Sequence, residues 1–221
     1  MQSNSEQPGS SSQSLAIFKL IVAGDSGVGK STFIERLSAG ILEELQLHGK
    51  TIKIHKVKFS TTIGEIQFNI WDLDQASIEN EPPNEFFMGA DCAIIMFDVI
   101  KRMSYKNCAA WYNKIREFND HANIPIGLTG NKVDSKEREV KPKMIIFHRK
   151  KNLHYEDISA LANYQIEKPF IHLIRKLTQD KGLYLVEAPA MKPPEIGMEG
   201  KFVKELESER QDHEVPDDND E

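Results

Sequence analysis

Eight consecutive residues carry the clearest chemistry in the chain: Gly24-Asp25-Ser26-Gly27-Val28-Gly29-Lys30-Ser31. Their spacing is G-x-x-x-x-G-K-[ST]. The glycines let the backbone curl until several N–H groups face one anion. A helix that starts there adds the positive end of its dipole. Lys30 would reach the terminal phosphates of a polyphosphate. The Ser31 hydroxyl suits Mg²⁺, a cation that keeps several of its waters. Asp25, Ser26, Gly27, Val28, Gly29, Lys30, Ser31 and Thr32 are the candidate phosphate-binding residues.

A second group reads a base. Asn131-Lys132-Val133-Asp134 follows an apolar segment much later in the chain. The Asp134 carboxylate can accept from both the N1–H and the exocyclic amine of guanine, a donor pair that adenine lacks. The Lys132 stem can lie over the ring, and Asn131 can tie this loop to the phosphate loop. Ser159, Ala160 and Leu161 come after the last strand-like segment, where a backbone N–H can meet the guanine carbonyl. The three segments therefore specify GTP or GDP with Mg²⁺.

The elements that must hold these loops follow from hydrophobic patterning. Phe18 to Ala23 and Cys92 to Phe97 are short apolar runs of the kind that form covered central strands. Ile52, Ile54, Val57 and Phe59, then Ile66, Phe68 and Ile70, alternate on either side of Gly64 and predict an antiparallel hairpin. Ile124 to Leu128 and Tyr155 to Ile158 are two further strands. Helices are predicted over Thr32–Ser38, Ser104–Asn119 and Asn163–Thr178, with a further one near Lys201–Glu209; residues 39–51 read as a polar connector. Strands alternating with helices give an α/β fold of the P-loop NTPase type. Its expected sheet is mostly parallel and six-stranded, with one antiparallel hairpin strand and helices on both faces. Ligands in such sheets sit at the carboxyl ends of the strands. The expected organisation is a disordered leader (1–14), a nucleotide-binding domain (15–180) and a C-terminal extension with a helix and an acidic tail (181–221).

Bulk properties narrow the setting. The 221 residues carry a net charge of −6, a poor balance for binding nucleic acid or membrane directly. Cys92 and Cys108 are the only cysteines, so a disulfide framework is not expected. No cysteine near the C-terminus offers a prenylation site, and no membrane anchor is expected.

The order of the phosphate, base and Ser159-Ala160 segments resembles the Ras superfamily of small GTPases. Several stretches are similar to its Ran branch: Phe68-Asn69-Ile70-Trp71-Asp72, Cys92 to Val99, Tyr105-Lys106-Asn107, Phe147 to Leu153, Glu167-Lys168-Pro169-Phe170 and Ala188 to Glu195. The resemblance implies a monomeric GTP/GDP-binding protein of nucleocytoplasmic transport of protein and RNA, present in nucleus and cytoplasm. Its implied partners are importin-type receptors and a Ran-type exchange factor and activator. It also implies that Asp72 holds Mg²⁺ through a water. His148, Arg149, Lys150 and Lys151 would then dock acidic surfaces, either a receptor's or the chain's own acidic tail; as a plain charge run they would be a solvated helix face. In Ran that tail packs on the domain in the GDP state.

The departures fall on the chemistry. Where the family has Asp-Thr-Ala-Gly-Gln, this chain has Asp72-Leu73-Asp74-Gln75-Ala76. Without a gap, Ala76 takes the place of the glutamine that orients the attacking water. With a one-residue slip, Gln75 takes it, but the Asp74 carboxylate then approaches the phosphates; two like charges ~4 Å apart repel by roughly 4 kcal/mol at an effective dielectric of about 20. Either register predicts weak hydrolysis and leaves no firm catalytic residue. Gly49 stands where the first switch has its Mg²⁺-binding threonine, and Thr51 could substitute only with a loop shift. A pseudo-GTPase scaffold that binds partners without switching is therefore the alternative function.

Overall fold

The computed structural model describes residues 15–37, 42–73, 82–119 and 123–211. Seven strands form one sheet: β1 (Ala16–Ala23), β2 (Leu42–Leu47), β3 (Lys50–Thr61), β4 (Gly64–Leu73), β5 (Cys92–Asp98), β6 (Ile126–Asn131) and β7 (His154–Asp157). Their order is β2-β3-β4-β1-β5-β6-β7. Only β3 runs against the rest, pairing antiparallel with β2 and β4; the pairs β1–β4, β1–β5, β5–β6 and β6–β7 are parallel.

The central strands are apolar on both faces because both are covered. Leu20, Val22, Ile94 and Met96 point to one side. There they meet Phe33, Ile34 and Leu37 of α1 (Lys30–Leu37) and Phe170, Leu173 and Ile174 of α5 (Lys168–Thr178). Ile21, Ala23, Ile95 and Phe97 point to the other. They pack among α2 (Asn84–Phe87), α3 (Arg102–Asn119) and α4 (Phe147–Lys151), with α6 (Gly200–Gln211) adding Leu206. Period-two alternation along β1 and β5 thus builds two cores at once. Both thiols are in these cores, and burial pushes Cys92 far up and Cys108 to about 12. Among the described residues no helix is long and apolar enough to cross a membrane.

Two expectations about elements need correction. The sheet has seven strands, not six, because part of the segment taken for a connector is β2. A two-residue turn, His48 (φ 50°) and Gly49 (φ 74°), folds it onto β3. Two positive φ angles in succession give the turn whose twist suits a hairpin. The closing helix begins at Lys168, not Asn163. Asn163 (φ 55°) and Gln165 (φ 54°) are left-handed, so α5 starts only where Pro169 can sit in its first turn. The helix expected near Lys201–Glu209 is α6.

The C-terminal extension is laid on the domain. Leu185 bridges to Thr61 beside the sheet. The Lys192 N–H donates to the Arg36 carbonyl at 2.9 Å, and the Glu195 N–H to the Leu161 carbonyl at 2.8 Å. Arg36, 5% exposed on α1, donates to the Pro193 carbonyl at 2.6 Å and to the Glu195 carboxylate.

Candidate functional site

The phosphate loop leaves β1 at Ala23 and enters α1 at Lys30, at the carboxyl end of the sheet. Two of its glycines are required by contact. At Gly24 (φ 147°) a Cβ would fall under 3.0 Å from the Met96 carbonyl oxygen. At Gly29 (φ 98°) it would fall equally close to the Asn131 amide nitrogen. Only glycine allows this backbone and this approach.

That approach is what joins the site. The Asn131 Nδ2 donates to the Val28 carbonyl at 2.8 Å, and its Oδ1 accepts from the Ala160 N–H at 3.0 Å. One buried amide therefore ties together the phosphate loop, the loop after β6 and the loop after β7. Asp134 accepts from the Ser159 hydroxyl, which in turn accepts from the Ala162 N–H at 3.1 Å. The three loops enclose a cavity of about 270 Å³ lined by Gly27, Gly29, Thr32, Asn131, Lys132, Asp134, Ala160 and Leu161.

Charge is arranged to suit an anion. The Lys30 ammonium is 3% exposed and donates to the carbonyls of Gly24 and Asp25, both at 2.9 Å. Burial pulls its pKa below the ordinary lysine value, against the raising effect of Asp72 and Asp25. A buried ammonium is stabilised by a facing anion, which a phosphate at this loop would supply. Lys132, left-handed at φ 70°, donates to the Gly27 carbonyl at 2.8 Å and pairs with Asp98 at 2.7 Å. Its stem thus runs along the mouth of the cavity. Asp98 is fully buried at the carboxyl end of β5. The sequence marked Asp98 only as the end of an apolar run.

Compared with models of protein families, the chain matches the Ras family over residues 19–179, well over half its length. The chain belongs to the Ras family. Ras-family GTPases bind guanine nucleotide, generally with Mg²⁺. The residues present fit that ligand: a cradle a Cβ would fill, a buried cation held against the loop, and a carboxylate beside the base loop. Ser31 opens α1 next to Lys30, and the 2% exposed Asp72 near the end of β4 lies within electrostatic reach of it. These two are the residues that would hold Mg²⁺.

Gly49 and Thr51, the residues matched to the first switch, both lie on the β2–β3 hairpin. Gly49 is the second residue of the β2–β3 turn and offers no hydroxyl. Thr51 is on β3, hydrogen-bonded across the hairpin to Gln46 at 2.9 Å. It lies at the same end of the sheet as the phosphate loop but two strands from β1, ~10 Å to the side. Asp74, Gln75 and Ala76, and the acidic residues 212–221, lie outside the described residues.

The basic run is also corrected in part. Arg149, Lys150 and Lys151 are exposed on α4. His148 turns inward instead, its ring stacked on Tyr155 with centroids 5.4 Å apart, and burial pushes its pKa down to about 4. It adds no charge to the patch near neutral pH. Sequence reasoning also missed Asn107 and Trp111 of α3, whose side chains donate to the Asp25 carboxylate at 2.7 and 2.8 Å.

Proposed function

We propose that this cavity holds GDP or GTP with Mg²⁺, and that the protein is a Ran-like member of its family serving nucleocytoplasmic transport of protein and RNA, with weak GTP hydrolysis. One observation carries the nucleotide reading: Asn131 joins three loops, each suited to one part of a guanine nucleotide, around a single cavity. Lys30 and the loop N–H groups serve the phosphates. The Asp134 carboxylate serves guanine, at the wall that Ala160 and Leu161 form, while the Ala160 N–H is given to Asn131.

The transport reading is supported by the Ran-like stretches and by the C-terminal segment. Residues 192–195 lie across α1 and the Leu161 loop, and α6 folds back onto the core. Such packing matches the GDP state that the Ran resemblance implies. Exposed Arg149, Lys150 and Lys151 offer an acidic partner a compact cation patch, which suits importin-type receptors. Weak hydrolysis follows from the absence of a glutamine at position 76 and a threonine at position 49. The Thr51–Gln46 bond favours a second reading, a pseudo-GTPase scaffold, because it holds the Thr51 hydroxyl on the hairpin.

Chromatography of the nucleotide released on denaturing the purified protein tests the binding reading; guanine nucleotide is expected, and an empty protein that refuses GDP contradicts it. Single-turnover GTP hydrolysis separates the two functions. Turnover that a Ran-type activator accelerates excludes the scaffold.

A further inference from the structure

Asp25, expected among the phosphate-binding residues, turns its carboxylate away from the nucleotide cavity. Asp25 sits between Gly24 and Ser26, in a loop built to receive anions, and a like charge there opposes its purpose. Its side chain is nonetheless fully engaged elsewhere. Oδ1 accepts from the indole Nε1–H of Trp111 at 2.8 Å, and Oδ2 accepts from Nδ2 of Asn107 at 2.7 Å. The two donors are four residues apart on α3, so they share one face of that helix. Asp25 does not line the nucleotide cavity. Trp111, with Phe86, Gly24 and Lys30, lines a small void of about 10 Å³ behind the loop instead.

The same residue also seats the essential cation. Its carbonyl, with that of Gly24, receives the Lys30 ammonium at 2.9 Å. Direct contacts therefore run from α3 to the Asp25 carboxylate, through the loop backbone, to Lys30. We propose that Asn107 and Trp111 are positioning residues for diphosphate binding: they hold the Asp25 carboxylate on the α3 side of the loop and so set the backbone that presents Lys30 and the loop N–H groups. This rests on the guanine-nucleotide reading of the cavity. A hydrogen bond to a charged group is worth about tenfold to a hundredfold in an equilibrium, so either donor has leverage on nucleotide affinity without touching nucleotide.

The test uses the full chain, stripped of nucleotide, titrated with fluorescent GDP in the presence of Mg²⁺. Asn107→Ala, at a half-buried position on the helix surface, is expected to weaken GDP about tenfold while its melting temperature stays near that of the wild type. Trp111→Phe is expected to act in the same direction. Asp25→Ala combined with Asn107→Ala is expected to bind within about twofold of Asp25→Ala alone, because the asparagine acts only through that carboxylate. Asn107→Ala with unchanged GDP affinity overturns the proposal, and so does full additivity with Asp25→Ala. A wild-type chain with no GDP affinity overturns the nucleotide reading itself and this inference with it, an outcome distinct from both.

Discussion

Replacing Asn131 by alanine is the sharpest perturbation of the site. The side chain is 2% exposed, and both ends of its amide are used. Its loss leaves the Val28 carbonyl without its donor and the Ala160 N–H without its acceptor, at residues 1% and 2% exposed. An orphaned buried polar group costs about 1–3 kcal/mol. Two of them sum to ~2–6 kcal/mol, and water entering from the adjoining cavity brings the net to ~2–4 kcal/mol. This divides between the fold and the ligand, since the same two bonds close the core and align the loops. A loss of ~2 kcal/mol from the apo protein lowers Tm by about 4–8 °C at this chain length. The remainder, up to ~2 kcal/mol, weakens GDP by as much as about thirtyfold, which shrinks the Tm rise that GDP produces. Thermal denaturation with and without saturating GDP reads both parts. An Asn131→Ala protein that melts like the wild type and gains the same protection from GDP would refute the reasoning, for the three loops would then be held by something else.

Gly29→Ala should be at least as damaging as Asn131→Ala, because its Cβ would overlap the Asn131 amide and its φ is 98°; adding Asn131→Ala to it should cost little more, measured as Tm. Stability should rise with pH between about 3 and 6.5 through His172. Burial, reinforced by His154, with which it stacks at 4.0 Å, pushes its folded pKa down to about 3, so the unfolded chain binds the extra proton in that window and stability is lost as pH falls through it. Unfolding free energies from urea titrations of His172→Phe should therefore depend less on pH, by up to ~1.4 kcal/mol per pH unit. Arg36→Ala should loosen residues 193–195 on α1, removing a charge-assisted contact worth about 1–3 kcal/mol and accelerating proteolysis within residues 187–201; an unchanged cleavage rate would argue that the backbone bonds to the Arg36 and Leu161 carbonyls suffice to hold the segment.

The legible parts of the sequence were those fixed by local pattern. The apolar runs of β1 and β5, the alternation of β3 and β4, and the glycine spacing of the phosphate loop need no distant partner to be recognised. Strand β2 was not legible. Leu-Glu-Glu-Leu-Gln-Leu has no clean alternation, and it pairs because the His48-Gly49 turn folds it onto β3, where Glu43 meets Lys56. The start of α5 was misjudged because nothing local marks Asn163 and Gln165 as left-handed. His148 reads as one more cation in a basic run until Tyr155 supplies the surface that takes it in. In the candidate site, the three loops that Asn131 joins were visible in the sequence, and so was its link to the phosphate loop. Asp98, Asn107 and Trp111 were not assigned to it, because their roles depend on which strands and helices become neighbours.

Equilibrium titration of the nucleotide-free chain with fluorescent GDP in Mg²⁺, followed by competition with unlabelled nucleotides, tests the central claim most directly. Saturable binding reversed by GDP and GTP but not by ATP is the predicted result. No measurable affinity, or displacement by ATP as readily as by GTP, would contradict a guanine-nucleotide site built on Lys30, Asn131 and Asp134.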